Sequence, residues 1–126
     1  MFTNQDPFAA YQQSSVDARA ASANQHELVR MLLEGCLDEL GKVAGHIDAR
    51  RFEAKAKSVE KCLNIIMGMD AMLDMENGGE LAANLHQLYD FSHRQLLNAS
   101  INNDTVMLNS VSEVISNIHQ GWQSFD

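Results

Sequence analysis

Proline is nearly missing from this chain. Its single copy is Pro7, so everything after it is free of the strongest helix breaker. Cysteine occurs twice, at Cys36 and Cys62, with no Cys-x-x-Cys spacing, which argues against a disulfide framework. Both lie in apolar helical patterns and read as reduced, buried, small core residues. Basic residues are scarce: 9 Lys and Arg stand against 17 Asp and Glu, for a net charge of -8. A phosphate backbone would be repelled, and Arg50-Arg51 is the only adjacent basic pair, so nucleic acid and anionic membrane are poor partners. No run approaches the roughly 18 apolar residues of a membrane span. The segment Met1-Phe2-Thr3-Asn4-Gln5-Asp6 has neither a basic region nor an apolar run, so no signal peptide is expected. These absences point to a cytoplasmic protein without membrane insertion.

What is present is ordinary globular material, 45% hydrophobic and 21% charged, in a length that suits one domain. Strand-like alternation is absent, and apolar residues recur at steps of three and four, the helical period. Residues 1–21 are polar and rich in Ser and Gln, with isolated aromatics Phe2, Phe8 and Tyr11, and read as a mobile N-terminal arm. Residues 22–126 read as the bundle domain. The first helix is expected to start at Asn24 as cap, with Glu27 reaching back to it, and to turn Val29, Leu32, Cys36, Leu40, Val43 and Ile47 inward as far as Asp48 or Ala49. A second helix places Phe52, Ala56, Val59, Leu63, Ile66 and Leu73 on one face and ends between Asp74 and Gly79. A third carries Leu81, Leu85, Leu88, Tyr89, Leu96 and Ala99. A fourth, after the turn residues Asn102-Asn103-Asp104, carries Leu108, Val111, Ile115, Ile118, Trp122 and Phe125. The expected fold is all-α: an antiparallel up-down four-helix bundle with an N-terminal arm.

A search for catalysis finds little. The five histidines, His26, His46, His86, His93 and His119, include no His-x-x-x-His pair. Asp90-Phe91-Ser92-His93 is the nearest approach to a di-iron element, occurs once, and has Asp in place of Glu. They read as solvated surface histidines. Glu34 and Asp38 read as a mildly repelling solvent face. No catalytic residue, cofactor site or metal site is assigned, and the protein reads as a non-enzyme. A phosphotransfer bundle with one exposed His shares the architecture, but its His-x-x-Lys-Gly neighbourhood is absent around all five. A generic dimerising bundle also stays open.

The densest anomaly is Met67, Met69, Met72 and Met75. Ile65, Met69 and Met72 form a second stripe beside the core stripe. Flexible Met side chains suit either a wide core or a groove that adapts to a docking helix. Leu28 and Met31 on the first helix, and Phe91 and Leu97 on the third, also leave their core stripes. Four helices hide one face each, so surplus apolar flanks need a further partner: another subunit, the arm or a client peptide. Phe8 and Tyr11 suit an arm that covers such a groove; the other reading is a tail with incidental aromatics.

Several segments together resemble the flagellar secretion chaperone FliS family. They are Ala23-Asn24-Gln25-His26-Glu27-Leu28-Val29 with Met31-Leu32-Leu33-Glu34-Gly35, the stretch from Ile65-Ile66 to Leu73-Asp74, and Leu96-Leu97-Asn98-Ala99-Ser100 with the late Trp122. The most specific is Gly78-Gly79-Glu80-Leu81-Ala82-Ala83-Asn84-Leu85 through Leu88-Tyr89, similar to the family's Gly-Gly-Glu-x-Ala-x-Asn-Leu-x-x-Leu-Tyr signature; Phe8-Ala9-Ala10-Tyr11 resembles its aromatic arm. Gln25 departs from a usual Pro and Leu33 from a common Tyr. The resemblance implies a chaperone that binds the C-terminal segment of flagellin, prevents premature polymerisation and delivers it to the type III export apparatus. An export-gate component, an anti-sigma factor or a co-chaperone would be further partners. It implies Phe8 and Tyr11 as arm anchors. It implies a client groove along helices 1 to 3, for which the candidates are Tyr11, Leu28, Met31, Leu32, Ile65, Met69, Met72 and Tyr89. Asn84 is expected to tie the turn between helices 2 and 3.

Overall fold

The computed structural model describes residues 24–124, and these form four helices: α1 Gln25–Asp48, α2 Phe52–Ala71, α3 Gly79–Asn102 and α4 Thr105–Gln123. The arm, with Phe8 and Tyr11, lies outside the described residues, as does Phe125.

Local chemistry explains where each helix starts and stops. The Asn24 side chain accepts the Glu27 backbone N–H at 3.2 Å and starts α1, although Gln25 occupies the first helical position. Glu27 does not reach back to the cap. Its carboxylate turns along the helix to the Arg30 guanidinium, where Nε donates to Oε1 at 3.2 Å. α1 stops at Asp48, and Arg50 with φ 59° turns the chain into α2. α2 ends at Ala71, earlier than the period suggests. The Asp74 side chain accepts the N–H groups of Glu76 at 3.2 Å and Asn77 at 3.0 Å, offering the backbone a turn in place of further helix. Asn103, left-handed at φ 49°, ends α3. Asp104 then accepts from the N–H groups of Val106 and Met107 at 2.9 and 3.1 Å and starts α4.

Cross-links between helices define the bundle. The first turn of α2 meets the end of α3, where Lys55 Nζ donates to the Ser100 carbonyl and to Asn103 Oδ1, both at 2.8 Å. His26, at the start of α1, meets Trp122 at the end of α4. Asp70, near the end of α2, meets His86 near the start of α3 at 2.8 Å. Neighbouring helices therefore run antiparallel, and packing goes round the ring α1–α2–α3–α4–α1. Leu33, Leu40, Ile66, Leu96, Leu108 and Ile115 are fully buried at its centre. Each contributes roughly 1.5–3 kcal/mol of transfer free energy.

The inner face of α2 differs from the expected one. Val59, Cys62, Ile66 and Met69 point inward, while Phe52 and Ala56 are exposed and Leu63 and Leu73 are half-buried. Two stripes one residue apart share Val59 and Ile66. The one with small Cys62 faces α1, where its sulfur lies 3.2 Å from that of Cys36. No helix among the described residues is long and apolar enough to cross a membrane.

Candidate docking surface

Four helices of about 20 residues cannot hide every apolar residue this chain carries, and the surplus gathers in a few places. One hollow, about 380 Å³, is an open groove between α3 and α4. Leu85 and Ile118 form its floor and Leu81, Leu88, Val114 and Trp122 its walls, with Asn117 and Gly121 along α4. Helical spacing places Leu81, Leu88 and Phe91 on the flank of α3 that faces α4, the flank whose Gln95 donates to Ser110 Oγ at 3.1 Å. Leu81 and Leu88 read as core residues in the sequence; in the structure they are 50% and 38% exposed. The core positions they were expected to take are filled by Ala82 and Ser92 beside Leu85 and Tyr89. Gly121 leaves the α4 wall low, since a Cβ there would meet nothing within 4 Å.

A second hollow of about 260 Å³ opens at the end of the bundle where α1 begins and α4 ends. Gln25, His26, Val29, Met69, Met72, Leu73, Tyr89 and Trp122 line it, so Trp122 is shared with the groove. The indole stacks on the His26 ring at a centroid distance of 5.1 Å and 12°. Its Nε1 donates to the His26 carbonyl at 2.9 Å, and His26 Nε2 lies 3.0 Å from the Trp122 carbonyl.

The candidates of the sequence reading divide accordingly. Met69, Met72 and Tyr89 come together around this end hollow. Met69 does not stand on a side stripe: it is a core residue, 1% exposed, because α2 turns its Cys62 face inward. Leu28, Leu32 and Tyr89 are also buried and hold the fold before they can touch a partner. Burial pushes the Tyr89 phenol up to about 12, with Asp70 and Cys36 adding to it, so it stays neutral. Met31 is exposed, and Ile65 and Met72 are half-buried on the α1/α2 seam. The groove between α3 and α4 was missed because a period of three and four fits both the inward stripe of α3 and its α4-facing flank.

Polar ties hold α1 against α4. Glu34 Oε2 accepts from Arg30 Nη1 at 2.7 Å and lies 3.1 Å from His119 Nε2. The His119 contact, then Arg30, holds the Glu34 carboxyl below its ordinary range, and Arg30 does the same for Glu27. Glu34 is thus one partner in an interhelical network, not half of a repelling solvent pair with Asp38. His26 and His119 likewise bridge helices, as does His86 from a more exposed position. The stretch from the end of α2 through the first half of α3 is acidic: no Lys or Arg stands between Lys61 and Arg94, and Asp70, Asp74, Glu76, Glu80 and Asp90 do. No group of three or more His, Cys, Asp or Glu among the described residues is placed to hold a metal ion.

The profile described as flagellar protein FliS matches residues 7–126. The chain belongs to the FliS family. It is 37% identical to the flagellar secretion chaperone FliSB of Pseudomonas aeruginosa, over 89% of each chain. It is 38% identical to the flagellar secretion chaperone FliS of Salmonella typhimurium, over 90% of this chain and 85% of that one, and 34% identical to that of Bacillus subtilis, over 94% and 85%. The segment 78–89 opens at the α2/α3 turn and continues along the first half of α3. Gly79 has φ +61°, and Gly78 packs against Asp74. Asn84 is exposed, and Asp74 rather than Asn84 ties the turn: Asn77 Nδ2 also donates to Asp74 Oδ2 at 3.2 Å. Glu80 is exposed, Tyr89 is in the core, and Leu33 is fully buried.

Proposed function

We propose that this protein is a cytoplasmic export chaperone that binds the C-terminal helical segment of flagellin, keeps it from polymerising and delivers it to the flagellar type III export apparatus. Membership of the FliS family supports this reading, and the observation that carries it is the groove between α3 and α4. Leu81, Leu88, Val114 and Trp122 offer apolar walls to an amphipathic helix that inserts residues at spacings of three and four. The half-buried Ile65 and Met72 with exposed Met31 offer a second apolar strip on the α1/α2 seam. The work is binding: apolar area leaves water, and no bond of the client is made or broken. The acidic stretch keeps a loaded complex soluble. An export-gate component, an anti-sigma factor or a co-chaperone would read the remaining surface.

Calorimetric titration with a C-terminal flagellin peptide tests the reading, with an N-terminal flagellin peptide as control. Saturable, near one-to-one binding of the C-terminal peptide alone is expected, with a negative heat-capacity change from apolar burial. No complex with either peptide would leave the groove without this client.

A further inference from the structure

Cys36 and Cys62 play no part in the docking surface, yet they are placed with care. Cys36 lies at the middle of α1 and Cys62 at the middle of α2, and both are fully buried. Their sulfurs are 3.2 Å apart. A disulfide needs about 2.05 Å, so roughly 1 Å separates the two sulfurs from a bond. Cys62 Sγ also lies 3.8 Å from the Cys36 carbonyl, which holds its thiol at the helix contact.

We propose that Cys36 and Cys62 form an oxidation site, a buried dithiol that a peroxide converts to an interhelical disulfide. One sulfur attacks the peroxide; the O–O bond breaks, the sulfur becomes a sulfenic acid, and the departing hydroxide takes the thiol proton and leaves as water. The second sulfur then attacks the sulfenic sulfur. The S–O bond breaks, the S–S bond forms, and the second thiol proton leaves with the hydroxide as another water. Two thiols have lost two electrons and two protons, and one hydrogen peroxide has become two waters. A sulfenic acid formed anywhere else in a lone position waits for a partner; here the resolving thiol is already in contact.

Burial sets the pace. The Cys36 thiol is pushed well above its ordinary range by its contact with Cys62 and by burial, so the native thiolate is scarce. Oxidation is therefore expected to be slow in the closed bundle and faster whenever the α1/α2 contact opens. Once formed, the bond closes the chain from Cys36 to Cys62 and restricts the unfolded state. It also fixes the spacing of the two helices whose outer seam carries Met31 and Ile65.

The test treats the full-length protein with hydrogen peroxide and follows intact mass, thiols titratable in denaturant, and proteolytic peptides. Expected are a loss of two hydrogens per monomer, disappearance of both thiols, and a single peptide pair joined through Cys36 and Cys62, reversed by a dithiol reductant. Mild urea that leaves the fold intact should speed the reaction, and the Tm of the oxidised monomer should rise by ~4 °C or more. Cys36→Ser should instead leave Cys62 as a thiol or carry it past sulfenic acid. The proposal is overturned if both thiols of the native protein persist, if the product is a sulfinic acid or an intermolecular dimer, or if the internal disulfide forms and lowers the Tm.

Discussion

Gly78 and Gly79 stand side by side in the family signature, for different physical reasons. Gly79 takes φ +61°, a conformation in which a Cβ costs roughly 1–2 kcal/mol. Gly78 has an ordinary backbone, φ -79°, but no room: a Cβ there would sit 2.5 Å from the Asp74 carbonyl oxygen and 2.6 Å from Ala82 Cβ. Neither obstacle is the far end of a flexible side chain, so the turn itself must shift. Gly78→Ala is expected to destabilise the protein by about 1–3 kcal/mol, the usual cost of overpacking, read as a lower midpoint in urea. A midpoint equal to the native protein's would show that the turn relaxes freely. The sequence makes this reversal legible, because adjacent glycines between two apolar periods announce a turn. The partner that ties it was not legible. Asn84 stood out by its place in the signature, whereas Asp74 holds the turn through backbone N–H groups that only the folded chain brings to it.

At the scale of elements, four helices and most of their ends can be read from caps and period: Asn24 caps α1 as expected, and the chain turns at Asn103 and Asp104, within the expected turn. The rotation of a helix about its own axis is harder to read. In α2 the stripes through Cys62 and through Leu63 have the same period, and only the close fit of Cys62 against Cys36 selects between them. In α3 the same ambiguity sent Leu81 and Leu88 to the core on paper and to the groove in the structure. Ties between elements are also invisible to period, and the pair of His86 on α3 with Asp70 on α2 is one that titrates. The Asp70 hydrogen bond, followed by its charge, raises the His86 pKa above the ordinary 6.5, with Asp90 adding to the effect. A raised folded-state value means that this stability is fully present below the unfolded value and is lost as pH climbs through the folded one. The native protein should therefore lose a little stability as pH rises across roughly 6 to 8. His86→Gln should be flatter over that window. Urea midpoints at a series of pH values check this, and parallel curves for the two proteins would remove the His86–Asp70 tie from the account.

For the whole molecule, the question is which apolar residues maintain the bundle and which serve a partner, since both kinds are leucines at helical spacing. Burial separates them. Leu96 is sealed among the helices, whereas Leu81 and Leu88 border the 380 Å³ groove with 50% and 38% of their surface in water. Replacing a sealed leucine removes packing that nothing refills, and Leu96→Ala should cost about 2–5 kcal/mol. Glutamine keeps helix propensity and length, so Leu81→Gln with Leu88→Gln should change stability by no more than about 1 kcal/mol. The same pair of substitutions removes two apolar walls from the groove. Affinity for the C-terminal flagellin peptide should then fall by about tenfold or more, equivalent to about 1.4 kcal/mol. Titration calorimetry and urea unfolding on the same samples read both quantities. Lost affinity at kept stability would assign the groove to the client. Kept affinity would move the client to the α1/α2 seam, where Met31, Ile65 and Met72 offer the other apolar surface, and would make the exposed leucines of α3 a feature of the fold alone.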